Sequence, residues 1–551
     1  MDTTEQPRLA DPLRRARQAP SYVGTNADTL PSIGQVLRLS VALLAFIGVF
    51  VIAGRSEHPL TAMPAGTFVT FVSIVVPPAA ALVAAYALYR PWRALIAILA
   101  LTPLWNSAYV SWQVGSVQVI LQTVFVVALA IGAAANRTDK GAFLWSASEL
   151  TAVRRKPGFS AFRFTEVAAA GLIGIALVST LASRDPQLSA TVLLHGILEP
   201  IALAALLVVL RPSRRDLLAV GAALGVSIGL GTAFNVAQTL PTTSSLAALE
   251  AQRLFFARAS FGNVGLFAAV IAVTVPLIVG TLISRRSLSL PGWATGVMIA
   301  TLLAGLAGLF LSLSKSGWVA TGGGTVLVLL LVVRSWRRRL AMVVAAVALS
   351  TLFIPWPAFF LQAVPSVNTA YRNVMVTLVG ETRFDSWNPA TLSGRGSLSE
   401  RFYAADTGVR MALANPILGV GLDQFRHNDL NPAYRPAQAH LIVDHAHSLF
   451  PEIGAELGLV AAVLVLTIYL AALWAMLRVY RNARDRLTMI LAAGFLSSIV
   501  AWLVVATAFG CYIYRPTSDN AADVVVSAVV VGAAIALART VHAERPWRPA
   551  N

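Results

Sequence analysis

Apolar runs of roughly 20 residues recur along the chain, and each is long enough for a helix that crosses the hydrocarbon core of a bilayer. Only helices and closed barrels satisfy every backbone polar group in lipid, and runs of this length are typical of helices. About fourteen membrane helices are predicted on this basis. They lie near residues 36–54, 66–89, 93–108, 117–135, 165–182, 190–210, 217–236, 263–283, 292–312, 317–333, 340–360, 456–479, 487–510 and 521–540.

The composition agrees with a membrane protein and excludes a soluble one. The chain has 551 residues, of which 57% are hydrophobic and only 12% are charged. An ordinary soluble protein is about a quarter charged, so this chain has too little charge to cover a water-facing surface of its size. We therefore predict an all-α, polytopic integral membrane protein. The single cysteine, Cys511, excludes an internal disulfide.

The formal net charge of +17 comes largely from short basic clusters between apolar runs. Examples are residues 211–216, 284–286 and 334–339, and alternate connections together with the tails hold most of the 42 Lys and Arg residues. Cytoplasmic loops of membrane proteins have this composition. The pattern predicts that both termini are cytoplasmic, and it argues against nucleic acid as a partner.

The order of apolar and polar segments predicts five regions. They are a basic cytoplasmic tail at 1–35, eleven membrane helices at 36–360 with a basic cytoplasmic loop at 136–164, a large external loop at 361–455, three further membrane helices at 456–540, and a cytoplasmic tail at 541–551. Within the large loop we expect a helix with Ser399 as its N-cap, ended by the Asn-Pro pair at Pro416.

The residues suited to chemistry gather on the predicted external face. Arg258 precedes the eighth predicted span, Arg401 and Arg410 lie on the helix of the large loop, and His447 precedes the next span. Guanidinium groups bind phosphate oxygens in a bidentate way and stay charged at any relevant pH. A histidine beside them can accept a proton from a hydroxyl near neutral pH. The arrangement predicts an anionic ligand at the membrane surface.

The carboxylates near His447 do not specify a metal site. Asp444, Glu452 and Glu456 are too few and too widely spaced to form a ligand set, so we expect no metal and no cofactor. Glu452 and Glu456 are four residues apart and share a helical face. We expect them to cap the helix or to face solvent, and Asp444 is a candidate for orienting an imidazole.

Three motifs lie in order between residues 250 and 480. The first is His447-Ser448, followed after nine residues by Gly458. The second is an arginine about fifteen residues before a proline that is followed by Gly-x-Gly. It is formed here by Arg401, Pro416, Gly419 and Gly421. The third is an arginine that opens a segment of small residues and asparagine, which is Arg258 in "RASFGN". Together they resemble the O-antigen ligase and O-antigen polymerase superfamily of bacterial membrane glycan-transfer proteins.

Two departures from the family pattern concern the subfamily. Where the family often has Ser-Arg-Gly at the start of a span, this chain has "SKSG", so Lys315 stands in for the arginine. Lysine binds phosphate as a point charge and lacks the fork geometry of arginine. The "GNVG" segment that follows Arg258 also lacks the second asparagine often found there.

The resemblance implies a fold similar to lipid-dependent, GT-C-like glycosyltransferases in the bacterial inner membrane, with the active face external. The donor would be a glycan on undecaprenyl diphosphate and the acceptor a hydroxyl of a glycan or lipid-linked sugar, joined with inversion and without a metal. By position, His447 would be the general base, supported by Asp444 and by the motif residues Ser448 and Gly458. The substrate-binding residues implied are Arg258, Arg401, Arg410 and Lys315.

Several alternatives stay open. A polymerase of the same superfamily would share the motifs and differ in its acceptor. Some proteins resembling the family have been regarded as inorganic-carbon transporters, but a transporter concentrates charges near the bilayer midplane in broken helices. In a scaffold, His447 would only bond a neighbouring loop.

Four side chains also have plainer explanations. Arg410 is either a second phosphate contact or a solvated helix residue, and Lys315 is either a contact or a snorkelling anchor. His195 and Glu199, four residues apart in a predicted span, are either a functional intramembrane pair or a hydrogen-bonded pair within one helix.

Overall fold

The computed structural model describes most of the bundle and part of the large loop. The described residues are 79–104, 111–114, 117–140, 160–239, 264–312, 314–333, 335–353, 397–436, 445–508 and 522–543. The tail at 1–35 and the predicted span at 36–54 lie outside these ranges, as do Arg258, Asp444 and Cys511.

The described chain is mostly helical. In chain order its helices are α1 (Ala79–Tyr89), α2 (Pro91–Ala100), α3 (Leu121–Lys140), α4 (Ser160–Ala182), α5 (Pro186–Leu193), α6 (Glu199–Val209), α7 (Arg214–Thr239), α8 (Val264–Ile283), α9 (Gly292–Ser312), α10 (Lys315–Val332), α11 (Trp336–Phe353), α12 (Ser397–Ala414), α13 (Phe425–Asn428), α14 (Leu449–Arg481), α15 (Arg486–Ala508) and α16 (Ala522–Ala543). One antiparallel hairpin pairs β1 (Ser111–Val114) with β2 (Val117–Ile120).

Helices capable of spanning a membrane confirm the polytopic architecture. Within the described ranges, seven helical segments are long and apolar enough to cross a bilayer. They are Arg163–Ala182, Pro186–Val209, Arg214–Ala233, Gly265–Ile283, Gly292–Leu309, Leu449–Arg481 and Arg486–Thr507. Shorter apolar helices accompany them, and the total of about fourteen spans stays a prediction.

Several predicted boundaries differ from the structure. The span predicted at 117–135 begins with a strand, because Val117, Val119 and Ile120 are β-branched residues that favour an extended backbone, and the helix starts only at Leu121. Both ends of the basic loop predicted at 136–164 are helical, since α3 continues to Lys140 and α4 begins at Ser160.

The large loop and the C-terminal tail also differ at their edges. The loop helix begins at Ser397, so Ser399 lies inside α12 and is not its N-cap. The helix ends at Ala414, directly before Asn415 and Pro416, as predicted. The first residues of the tail predicted at 541–551 are helical, because α16 extends to Ala543.

The centre of the bundle is formed by α8, α10 and α15. Helix α8 is apolar on all sides, as expected of a helix surrounded by others, and Phe267 and Ile271 are fully buried. A Cβ atom on Gly324 of α10 would lie 2.9 Å from Pro276 of α8 and 3.0 Å from Ala501 of α15. Small residues let membrane helices approach this closely.

At the end of the bundle where α14 finishes, the segments that connect the helices make ionic and hydrogen-bonded contacts with one another. Arg214 Nη1 lies 2.7 Å from Asp485 Oδ2, and Arg486 donates to the carbonyl of Val332 at 3.3 Å. Burial alone would raise the pKa of Asp485, but hydrogen bonds from Thr488 and the charge of Arg214 outweigh it and hold the pKa below its usual range. The positive-inside rule predicts that this end is cytoplasmic.

The segment Pro186–Val209 is one continuous helical segment with a π-helical turn, Leu194–Leu198, in its middle between α5 and α6. His195 Nδ1 lies 2.9 Å from Glu199 Oε1, and both side chains are buried. The hydroxyl of Thr123 on α3 donates to the same carboxylate oxygen. The structure therefore has the hydrogen-bonded pair that the spacing of His195 and Glu199 allowed, and Glu199 also ties α3 to this segment.

Candidate active site

Helix α14 consists of two helical pieces that meet at Gly458. This glycine has φ 88° and ψ 166°, which is outside the helical region. The first piece, residues 449–457, is called the short arm. The nine residues between Ser448 and Gly458 in the first motif are this short arm, and the span proper follows the kink.

The loop of the second motif docks on the broken end of the short arm. The backbone N–H of Val420 donates to the carbonyl of Ala455 at 2.7 Å, and that of Gly421 donates to the carbonyl of Glu456 at 3.2 Å. Carbonyls at a helix end lack partners within the helix and need donors from elsewhere. Leu459 returns the contact by donating to the carbonyl of Pro416 at 2.8 Å. The two motifs therefore stabilise each other.

Glycine is required at Gly458 and Gly419 for the same two reasons. Both have positive φ, where a side chain is strained. A Cβ atom on Gly458 would lie 2.5 Å from the backbone of Ile417, and one on Gly419 would lie 2.3 Å from the backbone of Glu456. The loop and the kink fit together only because neither position has a side chain.

Glu452 and Glu456 are buried, each with 1% of its surface exposed, so the expectation that they face solvent is wrong. The Glu456 carboxylate accepts from the backbone N–H groups of Asp423 at 3.0 Å and Phe425 at 3.3 Å. The Glu452 carboxylate accepts from the backbone N–H of Ala446. The sequence correctly placed them on one helical face, and that face is covered by the loop. Their carboxylates fix the backbone on both sides of the short arm.

His447 lies immediately before the short arm in a left-handed conformation, with φ 53°. Non-glycine residues adopt this conformation uncommonly, and such residues cluster at functional sites. Its Nδ1 atom lies 2.9 Å from Nε2 of His445. His445 is 5% exposed, whereas His447 is half-buried. The buried imidazole of His445 therefore contacts His447 at Nδ1, not at Nε2.

Helix α12 brings Arg401 toward the same region. A Cβ atom on Gly408 would lie 3.0 Å from Cβ of Ala446 and 3.0 Å from the carbonyl of Pro451, so α12 packs closely on the segment that carries His447. Arg401 is two turns before Gly408 and shares its helical face. It is half-buried, and it lies about 10 Å along the axis from this contact.

The other predicted site residues are not brought together in the same way. Arg410 is exposed and pairs with Asp406 one turn earlier, at 2.9 Å. Lys315 begins α10, where Ser314 caps the helix by accepting from the N–H of Gly317 at 3.2 Å. The side chain of Lys315 lies outside the described residues, as do Arg258 and Asp444 entirely.

Ser448 occupies the N-cap position of α14, but its hydroxyl does not cap the helix. The hydroxyl donates instead to the carbonyl of Thr507 at 2.7 Å. Because Thr507 lies at the end of α15, this bond joins the start of the short arm to the central bundle. Ser448 directly follows His447, so this hydrogen bond of the motif serine holds the backbone next to His447 in place.

Helices α4 and α5 also contact the docked loop, each through a serine side chain. Ser179 of α4 donates to the carbonyls of Leu418 and Glu456, both at 3.2 Å. Ser189 of α5 donates to the carbonyl of Leu422. These serines carry no motif, and their role was not predicted.

Gln424 is a second residue that the sequence did not indicate. Its side chain is 1% exposed, and neither amide atom has a hydrogen-bond partner among the described residues. It lines an open pocket of about 560 Å³ between the docked loop and the start of α5. The other lining residues are Arg184, Asp185, Pro186, Gln187 and His427.

No cluster of three or more His, Cys, Asp or Glu side chains in the described part of the chain is arranged to hold a metal ion. The ionisable groups of the site are instead engaged with the backbone or with one another. Glu456 and Glu452 accept from backbone N–H groups, and His445 contacts His447. These contacts hold an imidazole at the head of the short arm.

A comparison with known protein families gives a match that includes this site. Residues 299–466 match the family described as O-Antigen ligase. The resemblance to that superfamily is confirmed. The O-antigen ligase segment contains α12, the docked loop, His447 and the kink at Gly458. The bracing helices α4 and α5 lie outside it, and no curated protein matches the chain.

Proposed function

We propose that this protein is an O-antigen ligase-like glycosyltransferase of the bacterial inner membrane. It moves a glycan from undecaprenyl diphosphate to a sugar hydroxyl of an acceptor on the external face, with inversion and without a metal. The observation that carries the proposal is His447 at the head of the short arm, in a left-handed conformation and with its Nδ1 atom 2.9 Å from Nε2 of His445. The match of residues 299–466 to the O-antigen ligase family supports the same class.

His447 acts as the general base through its Nε2 atom. For Nε2 to accept a proton, the neutral ring must carry its hydrogen on Nδ1. That Nδ1–H then donates to Nε2 of His445, which lies 2.9 Å away. The bond fixes both the tautomer and the direction of the ring, as a third group does for the base in a catalytic triad.

In the transfer step the acceptor hydroxyl oxygen bonds to the anomeric carbon of the donor. Its proton passes to Nε2 of His447, and the bond from the anomeric carbon to the lipid diphosphate breaks. The diphosphate leaves with the electron pair, and attack from the opposite face inverts the carbon. The proton on His447 is then released to water.

Arg401 and Arg258 stabilise the departing diphosphate. Negative charge on the leaving oxygen is greater in the transition state than in the substrate, so cations placed there favour rate as well as binding. Support for Arg401 comes from the close packing of α12 on Ala446 and Pro451. For Arg258 the support is its place in the third motif.

The test uses purified full-length protein in nanodiscs with the lipid-diphosphate glycan of the source bacterium. His447→Ala is expected to lower transfer by about 10²–10⁴ while donor binding survives. Arg401→Ala and Arg258→Ala are expected to weaken both, with only partial rescue by lysine because the fork geometry is lost. His440, which lies in the predicted large loop and in none of the three motifs, provides the matched histidine control as His440→Ala. Full activity of His447→Ala would overturn the proposal.

The same assay separates ligase from polymerase. A ligase adds one glycan to a separate acceptor, so the lipid-diphosphate glycan is consumed without lengthening. A polymerase gives a ladder of longer glycans on the lipid diphosphate itself. Gel analysis of the products with and without added acceptor distinguishes the two.

One observation favours a transporter as the second candidate. Transporters place ionisable groups near the bilayer midplane, and His195 and Glu199 lie at the π-helical turn in the middle of the apolar segment Pro186–Val209. Glu199 is bonded to Thr123 and His195. A transporter would need this carboxyl to change its protonation or partners, whereas the transferase does not.

A further inference from the structure

We propose that the outer face of α12 contacts the lipid of the external leaflet, which makes the loop helix an interfacial membrane-binding element. This face consists of Phe402, Val409 and Leu413 on α12 and of Ile417 shortly after its end, and we call it the α12 stripe. The exposed fractions of these four side chains are 65%, 43%, 65% and 69%. The inference depends on the membrane-spanning architecture of the protein and not on the proposed reaction.

Helix α12 has a packed face and an exposed apolar face on opposite sides. The packed face consists of buried residues at helical spacing, namely Ala404, Thr407, Gly408, Met411 and Ala412. At 3.6 residues per turn, Phe402, Val409 and Leu413 lie within about 40° of one another on the side opposite to that face. Contiguous exposed apolar patches mark contacts with membranes or with other proteins, so the α12 stripe requires a partner.

The α12 stripe meets the exposed side of α14 at the kink. After Gly458, α14 continues as a segment apolar and long enough to cross a membrane. Its exposed apolar side chains recur at helical spacing, at Val460, Val463, Leu466, Leu470 and Trp474. The backbone N–H of Leu459 donates to the carbonyl of Pro416 at 2.8 Å, and a Cβ atom on Gly458 would lie 2.5 Å from the backbone of Ile417. The α12 stripe therefore ends where the lipid-facing side of the span begins.

This continuity favours lipid over a protein as the partner. A protein bound to the α12 stripe would have to share its edge with the lipid that covers Val460 and Val463 of α14. The bilayer covers both surfaces at once and needs no further molecule. It also sets α12 at the depth of the membrane surface, where a helix with one apolar side and one polar side lies in the interface plane.

The charges of α12 indicate what kind of lipid contact this is. Two acidic residues, Glu400 and Asp406, are balanced by Arg401 and Arg410. Asp406 and Arg410 form an exposed ion pair at 2.9 Å beside the stripe, at a position where hydrated headgroups would solvate it. Interfacial helices bind through buried apolar area and through attraction to anionic lipids. Because the charges of α12 cancel, we expect apolar contact to dominate and the charge of the lipid to matter little.

Lipid contact on the outer face of α12 would fix the height of the segment that carries His447. The packed face of the same helix lies against this segment, since a Cβ atom on Gly408 would lie 3.0 Å from Cβ of Ala446 and 3.0 Å from the carbonyl of Pro451. A helix held at the surface by its stripe therefore holds the head of the short arm at the same depth.

The experiment measures, by EPR spectroscopy, how accessible spin labels are to oxygen and to a water-soluble nickel chelate. Oxygen concentrates in lipid and the chelate stays in water, so the ratio of the two accessibilities reports lipid contact. The full-length protein carries Cys511→Ser, and single labels are placed by Phe402→Cys, Leu413→Cys and Ile417→Cys. The protein is placed in phosphatidylcholine nanodiscs. All three positions are exposed, so each label can be introduced without repacking the core, and each gives an independent reading.

Three further positions provide references. Val463→Cys on the exposed side of α14 is the lipid reference, and Ala433→Cys at an exposed position beyond α13 is the water reference. Ala414→Cys is the matched control on α12, because it is exposed but lies about 100° around the helix from Leu413. At a depth of about 5–10 Å, labels on the α12 stripe should give an oxygen-to-chelate ratio several-fold above those of Ala414→Cys and Ala433→Cys and close to that of Val463→Cys. The same ratios are expected in nanodiscs that contain phosphatidylglycerol.

The other outcomes overturn the inference. Ratios on the α12 stripe equal to that of Ala433→Cys would place it in water. Low accessibility to both reagents would show that protein covers it, from this chain or from a second copy. A high ratio found only with phosphatidylglycerol would contradict the apolar basis of the contact. Because the measurement involves no glycan transfer, each of these results leaves the proposed transferase standing, and lipid contact that persists in an inactive protein would support the inference alone.

Discussion

The Nε2 atom of His445 lies 2.9 Å from the Nδ1 atom of His447, and the two ring centroids are 3.9 Å apart. This contact joins a buried histidine to a half-buried one at the head of the short arm. It gives the proposed base a partner two residues earlier that belongs to none of the three motifs. We therefore propose His445 as a positioning residue.

The His445 contact predicts different results for two substitutions. His445→Gln can place its amide oxygen near the position of Nε2 and still accept from Nδ1–H of His447, so it should retain most activity. His445→Ala loses the acceptor and should lower kcat, by less than the roughly 10²–10⁴ expected for loss of the base itself. Steady-state transfer by both variants, with donor binding measured separately, checks this. Equal activities of the Ala and Gln variants would exclude a positioning role through this bond.

The pH profile gives an independent readout of the same contact. Activity of the parent should fall toward acid, because a protonated imidazole cannot accept the proton of the acceptor hydroxyl. A change in the midpoint of this fall in His445→Ala would be expected if the bond sets the tautomer of His447. An unchanged midpoint with a uniformly lower rate would instead indicate that His445→Ala disturbs the packing around His447 and not its tautomer.

The kink predicts a strong and local requirement for glycine. Gly458→Ala forces a side chain into a positive-φ conformation and into the backbone of Ile417, 2.5 Å from the added Cβ. The strained conformation alone costs about 1–3 kcal/mol, and the clash adds to it. Thermal unfolding in detergent should show a clear loss of stability. Gly323→Ala, where the added Cβ meets nothing within 4 Å, is the matched control and should be neutral or slightly stabilising.

Spacing in the sequence predicted which segments matter but not how they contact each other. The nine residues before Gly458 indicated a motif, and only the structure shows that they form the short arm and that Gly419 packs on its end. Glu452 and Glu456 were correctly assigned to one helical face, but spacing alone does not reveal that a loop 30 residues earlier covers that face. Gln424 has no motif around it, so its burial without partners was not predictable.

Glu456 provides a test of the docked loop. Its carboxylate oxygens accept from the backbone N–H groups of Asp423 and Phe425. Glu456→Gln would turn an amide donor toward one of these donors and leave buried groups unsatisfied, at a cost of about 1–3 kcal/mol. Thermal unfolding should therefore shift downward, and activity should fall as the loop loosens. The control is Asp406→Asn, which removes a charge from an exposed ion pair with Arg410. Such a pair contributes about 0–1 kcal/mol to stability.

Substitutions in the buried pair of His195 and Glu199 distinguish the transferase from the transporter. Oε1 of Glu199 is bonded to His195 and to Thr123, while Oε2 has no partner among the described residues. Glu199→Gln keeps an oxygen for both bonds and removes only the capacity to ionise, so a transferase should retain its stability and its transfer rate.

Glu199→Leu loses both bonds, and we expect lower thermal stability with little change in KM for any protein that still assembles. Transfer assays and thermal unfolding on the two variants test this together with the parent. Transfer that survives Glu199→Leu but is abolished by Glu199→Gln would contradict the structural role. Uptake of a small anion by proteoliposomes that depends on the Glu199 carboxyl, without glycan transfer, would favour the transporter. The transferase requires the reverse: the carboxyl is replaceable because its role in this fold is to hold α3 against the helical segment Pro186–Val209.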